Sequence, residues 1–85
     1  MNSNREARIN VTWAGQNGDL PDPVDGLATD GDVRRFVTEA VRAGDVPGIA
    51  RDPRATFQDF VVDRYPANDL RPYPLIQVRP KTPFG

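Results

Sequence analysis

The 85-residue chain contains no cysteine and no histidine. Without cysteine there is no disulfide, no thiolate nucleophile and no sulfur-ligated metal. Without histidine the usual general base and the commonest metal ligand are missing as well. Lysine is nearly absent: Lys81 stands alone against ten arginines. No apolar run approaches the roughly 20 residues of a membrane span. The polar start Met1-Asn2-Ser3-Asn4-Arg5-Glu6 is no signal peptide. A cytoplasmic location without a membrane partner is therefore expected. Charge of one sign is also lacking, because eleven basic residues against twelve acidic ones leave a formal charge of −1. That balance removes the electrostatic footprint of a nucleic-acid binder.

The remaining chemistry is carboxylates, hydroxyls, one amine and guanidinium groups. A paired-carboxylate catalyst needs a concave site with two acids pushed apart in pKa, and a single small domain rarely encloses one. The expectation is a protein that is acted on or that binds, not an enzyme, with no cofactor and no metal. Asp22, Asp25, Asp30 and Asp32 cluster ahead of a predicted helix. They lack the calcium-loop spacing with its terminal bidentate Glu, and Asp is favoured at turns and caps, so they read as capping residues.

Arg8-Ile9-Asn10-Val11-Thr12-Trp13 alternates polar and apolar, the period of a strand with Ile9, Val11 and Trp13 turned inward. Residues 1–7 before it read as a disordered arm. Gln16-Asn17-Gly18-Asp19 reads as a hairpin turn around Asn-Gly. The return segment 20–27 holds Pro21 and Pro23, which confine it to a sheet edge or to loop. Val33, Phe36, Val37, Ala40 and Val41 form one apolar stripe, which predicts a helix over 33–43. Thr29 or Asp30 can cap its start, and Gly44 and Pro47 end it. Residues 45–54 read as a loop anchored by Ile49. Thr56–Asp63 reads as a strand whose alternation slips at Phe60-Val61-Val62, through partial cover on both faces or a bulge. An irregular stretch over 64–74 precedes a last strand, Leu75–Arg79, which Pro80 stops.

A lone helix with one apolar stripe must lie across one face of a sheet to bury it. Hairpin, helix and two further strands over 8–79 give an α+β chain with a mixed four-stranded sheet, the element order of the β-grasp. With Ile9-Asn10-Val11, Gly44 and Val46-Pro47-Gly48-Ile49, the chain resembles ubiquitin-like proteins. In layout it is similar to the bacterial ubiquitin-like modifiers found beside activating, conjugating and deconjugating enzymes. The resemblance implies a protein modifier whose partners are an adenylating enzyme, a conjugating enzyme, a deconjugating protease and target proteins. It also implies a flexible tail, residues 80–85, with Gly85 as the conjugation site.

A glycine suits that role because a residue without a Cβ leaves its carbonyl open inside a narrow channel. Phe84 stands where most such tails carry a second glycine. Phe84 and Arg79 are then the candidates for docking the tail on the activating enzyme. Lys81 is the one side-chain amine on which a copy could be joined to another, because arginine stays protonated and cannot serve as acceptor. The composition itself fits a GC-rich genome. If Ile76 and Val78 face the helix, then Arg8, Leu75 and Gln77 lie on the outer face of the sheet as a partner surface. That face is expected to be polar, unlike the apolar patch of ubiquitin. Two alternatives remain: a sulfur carrier that forms a thiocarboxylate at the same carboxyl, and a non-conjugated interaction module.

Overall fold

The computed structural model describes residues 6–81. They form an α+β arrangement in which one helix lies on a mixed sheet of five strands. The elements are β1 (Glu6–Trp13), β2 (Gln16–Asp19), β3 (Val24–Asp25), α1 (Asp30–Ala43), β4 (Val61–Tyr65) and β5 (Leu75–Arg79). The strand order is β2-β1-β5-β4, and the short β3 continues the β2 edge by pairing with the start of β1. The central pair, β1 and β5, is parallel, and the outer pairs are antiparallel. A parallel pair cannot be closed by a tight turn, so the helix and the long segment after it supply the crossover.

β1 starts at Glu6 and takes in the last two residues of the stretch 1–7 expected as a disordered arm. Ala7 is fully buried and pairs with Val24, because a small apolar residue at that position extends the inward row of Ile9 and Val11. The hairpin turn is Ala14-Gly15 and not Asn17-Gly18. Trp13 pairs with Gln16, and Ala14 and Gly15 both take positive φ, 53° and 77°, as a two-residue primed turn requires. Gly18 lies within β2 for a different reason. A Cβ there would collide with the carbonyl oxygen of Pro47 and the side chain of Val46, so glycine lets the loop after the helix rest directly on the strand.

Helix α1 follows its sequence signals closely. Thr29 is the N-cap, its Oγ1 accepting from the Asp32 amide at 3.1 Å, and Gly44 closes the other end at φ 78°. Val33, Val37 and Val41 are buried, at spacing i, i+4 and i+8. Phe36 and Ala40, expected in the same buried stripe, are only half-buried at its flank.

The predicted strand over 56–63 is displaced. Phe57 is buried, but the chain turns after it, the Phe60 amide donating to the Phe57 carbonyl at 3.1 Å, and pairing begins only at Val61. The broken alternation at 60–62 marks this join between turn and strand. Val62 then packs on the core opposite Val78. β5 occupies Leu75–Arg79 as the sequence indicates, with Ile76 and Val78 inward. The loop 45–57 adds Val46, Ile49, Ala55 and Phe57 to the core, so much of the helix-side packing comes from irregular chain.

Candidate interaction surface

The face of the sheet turned away from the helix gathers the residues that the sequence marks for contact. Pairing sets Arg8 beside Leu75 and Tyr65 beside Leu75 on its other side. One step along, Asp19, Asn10, Gln77 and Asp63 form a row across four strands. Asn17 lies beside Thr12, and Arg79 beside Val61, in the next row. Alternation along each strand puts all of these on one side, because neighbouring residues point to opposite faces.

Asn10 is the hub of this face. Its Nδ2 donates to Asn17 Oδ1 at 2.9 Å and to Asp19 Oδ1 at 2.8 Å. Its Oδ1 accepts from Asn17 Nδ2 at 2.9 Å and from Gln77 Nε2 at 3.4 Å. Asn17 Nδ2 also donates to Thr12 Oγ1 at 3.0 Å. At the β4 side Arg79 Nε donates to Asp63 Oδ2 at 2.7 Å, a charge-assisted bond. These side chains are held by one another, so the face presents a fixed pattern of amides and charges. The large apolar members are sparse: Val61 and Leu75 are half-buried, and Tyr65 is exposed. A partner would read it through hydrogen bonds and charge more than through apolar burial.

The three residues named as a partner surface, Arg8, Leu75 and Gln77, therefore lie side by side on β1 and β5. Arg8 and Leu75 also border a cleft of about 270 Å³ with Asp19, Leu20 and Tyr73, and Arg8 Nη1 donates to the Pro21 carbonyl at 3.1 Å. Arg79 is engaged with Asp63, so a docking role for it would start from an occupied guanidinium. Lys81 is exposed beside a cleft bordered by Asp30, Asp59 and Phe60. Gly85 and Phe84 lie outside the described residues.

Sequence reasoning missed Asn17 and Asp19 as face residues. β2 has no large apolar side chain, so nothing in its pattern announces a strand. It also missed the pin between Trp13 and Asp52. Trp13 is half-buried against Phe57 and Phe60, with ring centroids at 4.9 and 5.8 Å, and its Nε1 donates to Asp52 Oδ2 at 2.9 Å. The Arg54 amide donates to Asp52 Oδ1 at 3.0 Å. This backbone bond first, then the indole, holds the Asp52 carboxyl below the usual aspartate pKa.

The aspartates ahead of the helix serve turns and ion pairs, and the cap expected among them is Thr29 instead. Asp25 accepts from the Leu27 amide at 2.9 Å, Asp30 pairs with Arg64 at 2.8 Å and Asp32 with Arg35 at 3.4 Å. Among the described residues no helix is long and apolar enough to cross a membrane.

The arrangement defines a small α+β domain with one covered and one open sheet face. No family model, no curated protein and no solved structure matches the chain.

Proposed function

We propose that the chain is a β-grasp, ubiquitin-like protein modifier, joined to its targets through the carboxyl of Gly85. The observation that supports this reading most is the sheet order β2-β1-β5-β4 with a parallel centre, crossed by one helix that follows the first hairpin. It is the order expected of a β-grasp. Its last strand runs in the middle of the sheet, so the chain leaves the domain at Arg79 beside Val61. Pro80 has no amide hydrogen to extend the ladder.

In the reaction the Gly85 carboxylate attacks the α-phosphorus of ATP, and pyrophosphate leaves. A thiol of the activating enzyme displaces AMP from the acyl adenylate to form a thioester. An acceptor amine then displaces that thiol and gives an amide. Every catalytic group belongs to the partner enzymes.

The open face favours a second reading, because its amide ladder is fixed before any partner arrives. In that reading the domain holds a partner by this face and Gly85 takes no part. A sulfur carrier would end in a thiocarboxylate at Gly85.

The test is mass spectrometry on tagged protein recovered from its own cells. Trypsin cuts after Lys81, so a conjugated target should carry Thr82-Pro83-Phe84-Gly85 on an acceptor amine. Deleting Gly85 should abolish those products and leave the melting temperature unchanged. A sulfur-for-oxygen mass change at the terminus would support the carrier. Full activity of the Gly85 deletion, with no branched peptides, would leave the face-binding module.

A further inference from the structure

The helix has an open flank that its sequence does not announce. Phe36 and Ala40 belong to the apolar stripe of α1 but stay half-buried, and Leu27, on the segment leading into the helix, is 69% exposed. They border two clefts, of about 390 and 470 Å³, that meet at Val24 and Phe36 and form one groove between α1 and segment 20–28. The groove stays open because β3 is only two residues long, so the sheet edge next to the helix is too short to cover it.

The charge around this groove is mostly of one sign. Its rim carries Asp22, Asp25, Asp32, Glu39 and Asp45, and against these stands Arg35, whose guanidinium lies over the Phe36 ring at 5.6 Å. In a chain whose basic and acidic residues nearly balance, this is segregation. Asp32 pairs with Arg35, while the other four make no ion pair among the described residues. The other flank of the helix carries Arg34, Arg35 and Arg42 at a second cleft, which shares Glu39 with the groove. An apolar floor inside an acidic rim complements a ligand that is apolar in the middle and basic at its sides.

The mode of binding follows from the edge. Pro21 and Pro23 have no amide hydrogen, so segment 20–25 cannot template an added strand across its length. A helix laid in a groove by its side chains needs no free sheet edge, and its basic face would meet the acidic rim. We propose that the groove between α1 and β3 docks a basic amphipathic helix of a partner protein. The apolar side chains of that helix sit over Val24, Leu27 and Phe36, and its lysines or arginines face the carboxylates. This site is separate from the open sheet face.

The probe is a synthetic helical peptide of leucine and lysine at amphipathic spacing, titrated into the full chain and followed by amide NMR shifts. Shifts should concentrate at Val24, Leu27, Phe36 and Ala40, and binding should weaken as salt rises. Glu39→Lys combined with Asp22→Lys should weaken binding about tenfold, since two exposed rim charges reverse sign. Both side chains are exposed, so the melting temperature of the double variant should stay at the parent value. Leu27→Ser should weaken binding without changing its salt dependence.

Four results would overturn the proposal. They are equal binding of the peptide with glutamate for lysine, shifts centred on Arg34 and Arg42 or on the open face, and no binding at millimolar peptide. The fourth is concentration-dependent shifts at the groove without peptide, which would make a second copy the occupant.

Discussion

Ala14 is the only non-glycine residue with positive φ among the described residues, and it sits in the two-residue turn where Asn-Gly is strongly favoured. A left-handed conformation costs an ordinary residue about 1–2 kcal/mol, and Asn relieves part of this. Ala14→Asn should therefore raise stability by roughly 0.5–1 kcal/mol, seen as a higher denaturant midpoint with an unchanged slope. Asp52 makes the opposite kind of contribution. It ties the loop after the helix to Trp13 on β1, and its carboxyl titrates below the usual aspartate range in the fold. A depressed folded pKa means stability that is fully present above the unfolded value and lost as pH falls through the folded one. Asp52→Asn should lower stability at neutral pH, and the gap to the parent should close on acidification below about pH 4, near the unfolded aspartate pKa. A gap that stays constant from neutral to strongly acid pH would assign the loss to geometry and not to charge.

Helix α1 and strand β5 are legible from sequence because each has a period, a start and a stop. Val33, Val37 and Val41 recur at helical spacing between Thr29 and Gly44, and Ile76 and Val78 alternate ahead of Pro80. β2 is illegible for a physical reason: it lies at an edge with only polar residues and glycine, so burial leaves no mark on it. Its Asn-Gly pair looks like a turn, yet Gly18 is there to admit Pro47, a contact between parts of the chain far apart in sequence. Phe57 shows the same limit. Its bulk and burial were readable, whereas the turn that follows depends on where Trp13 and Phe60 stand. On the open face Arg8, Leu75 and Gln77 could be placed by alternation, but the Asn10–Asn17–Asp19 network could not, because it needs the true register of the hairpin. Two element-scale changes test these assignments. Thr29→Ala should cost about 1 kcal/mol by removing the cap. Gly18→Ala should cost roughly 1–3 kcal/mol by forcing β2 off the loop. If Gly18→Ala were neutral in chemical denaturation, the close approach of Pro47 would be wrong.

At the scale of the whole molecule, six of the ten arginines do what a long irregular segment needs. Much of this chain lies outside helix and strand, so many of its carbonyls have no ladder partner. Six arginines donate to such backbone oxygens: Arg8 to Pro21, Arg34 to Phe60, Arg42 to Ala55, Arg51 to Arg42, Arg64 to Gly26 and Ala28, and Arg71 to Pro66 and Tyr73. A guanidinium offers several N–H groups in a rigid fork, and lysine offers one compact ammonium, so the two are not equivalent here. These bonds give the abundance of arginine a structural use. The variant Arg42→Lys, Arg64→Lys, Arg71→Lys keeps the net charge and should lose about 1.5–3 kcal/mol, at roughly 0.5–1 kcal/mol for each exposed or half-exposed site. For a domain of this size that lowers the melting temperature by roughly 6–24 °C. Trp13 is the sole tryptophan and reports the unfolding by its fluorescence. Arg54 makes no side-chain hydrogen bond among the described residues, so Arg54→Lys should stay within about 0.5 kcal/mol of the parent. A triple variant that melts with the parent would show that these arginines are solvated surface and that the loops hold their shape by apolar packing alone.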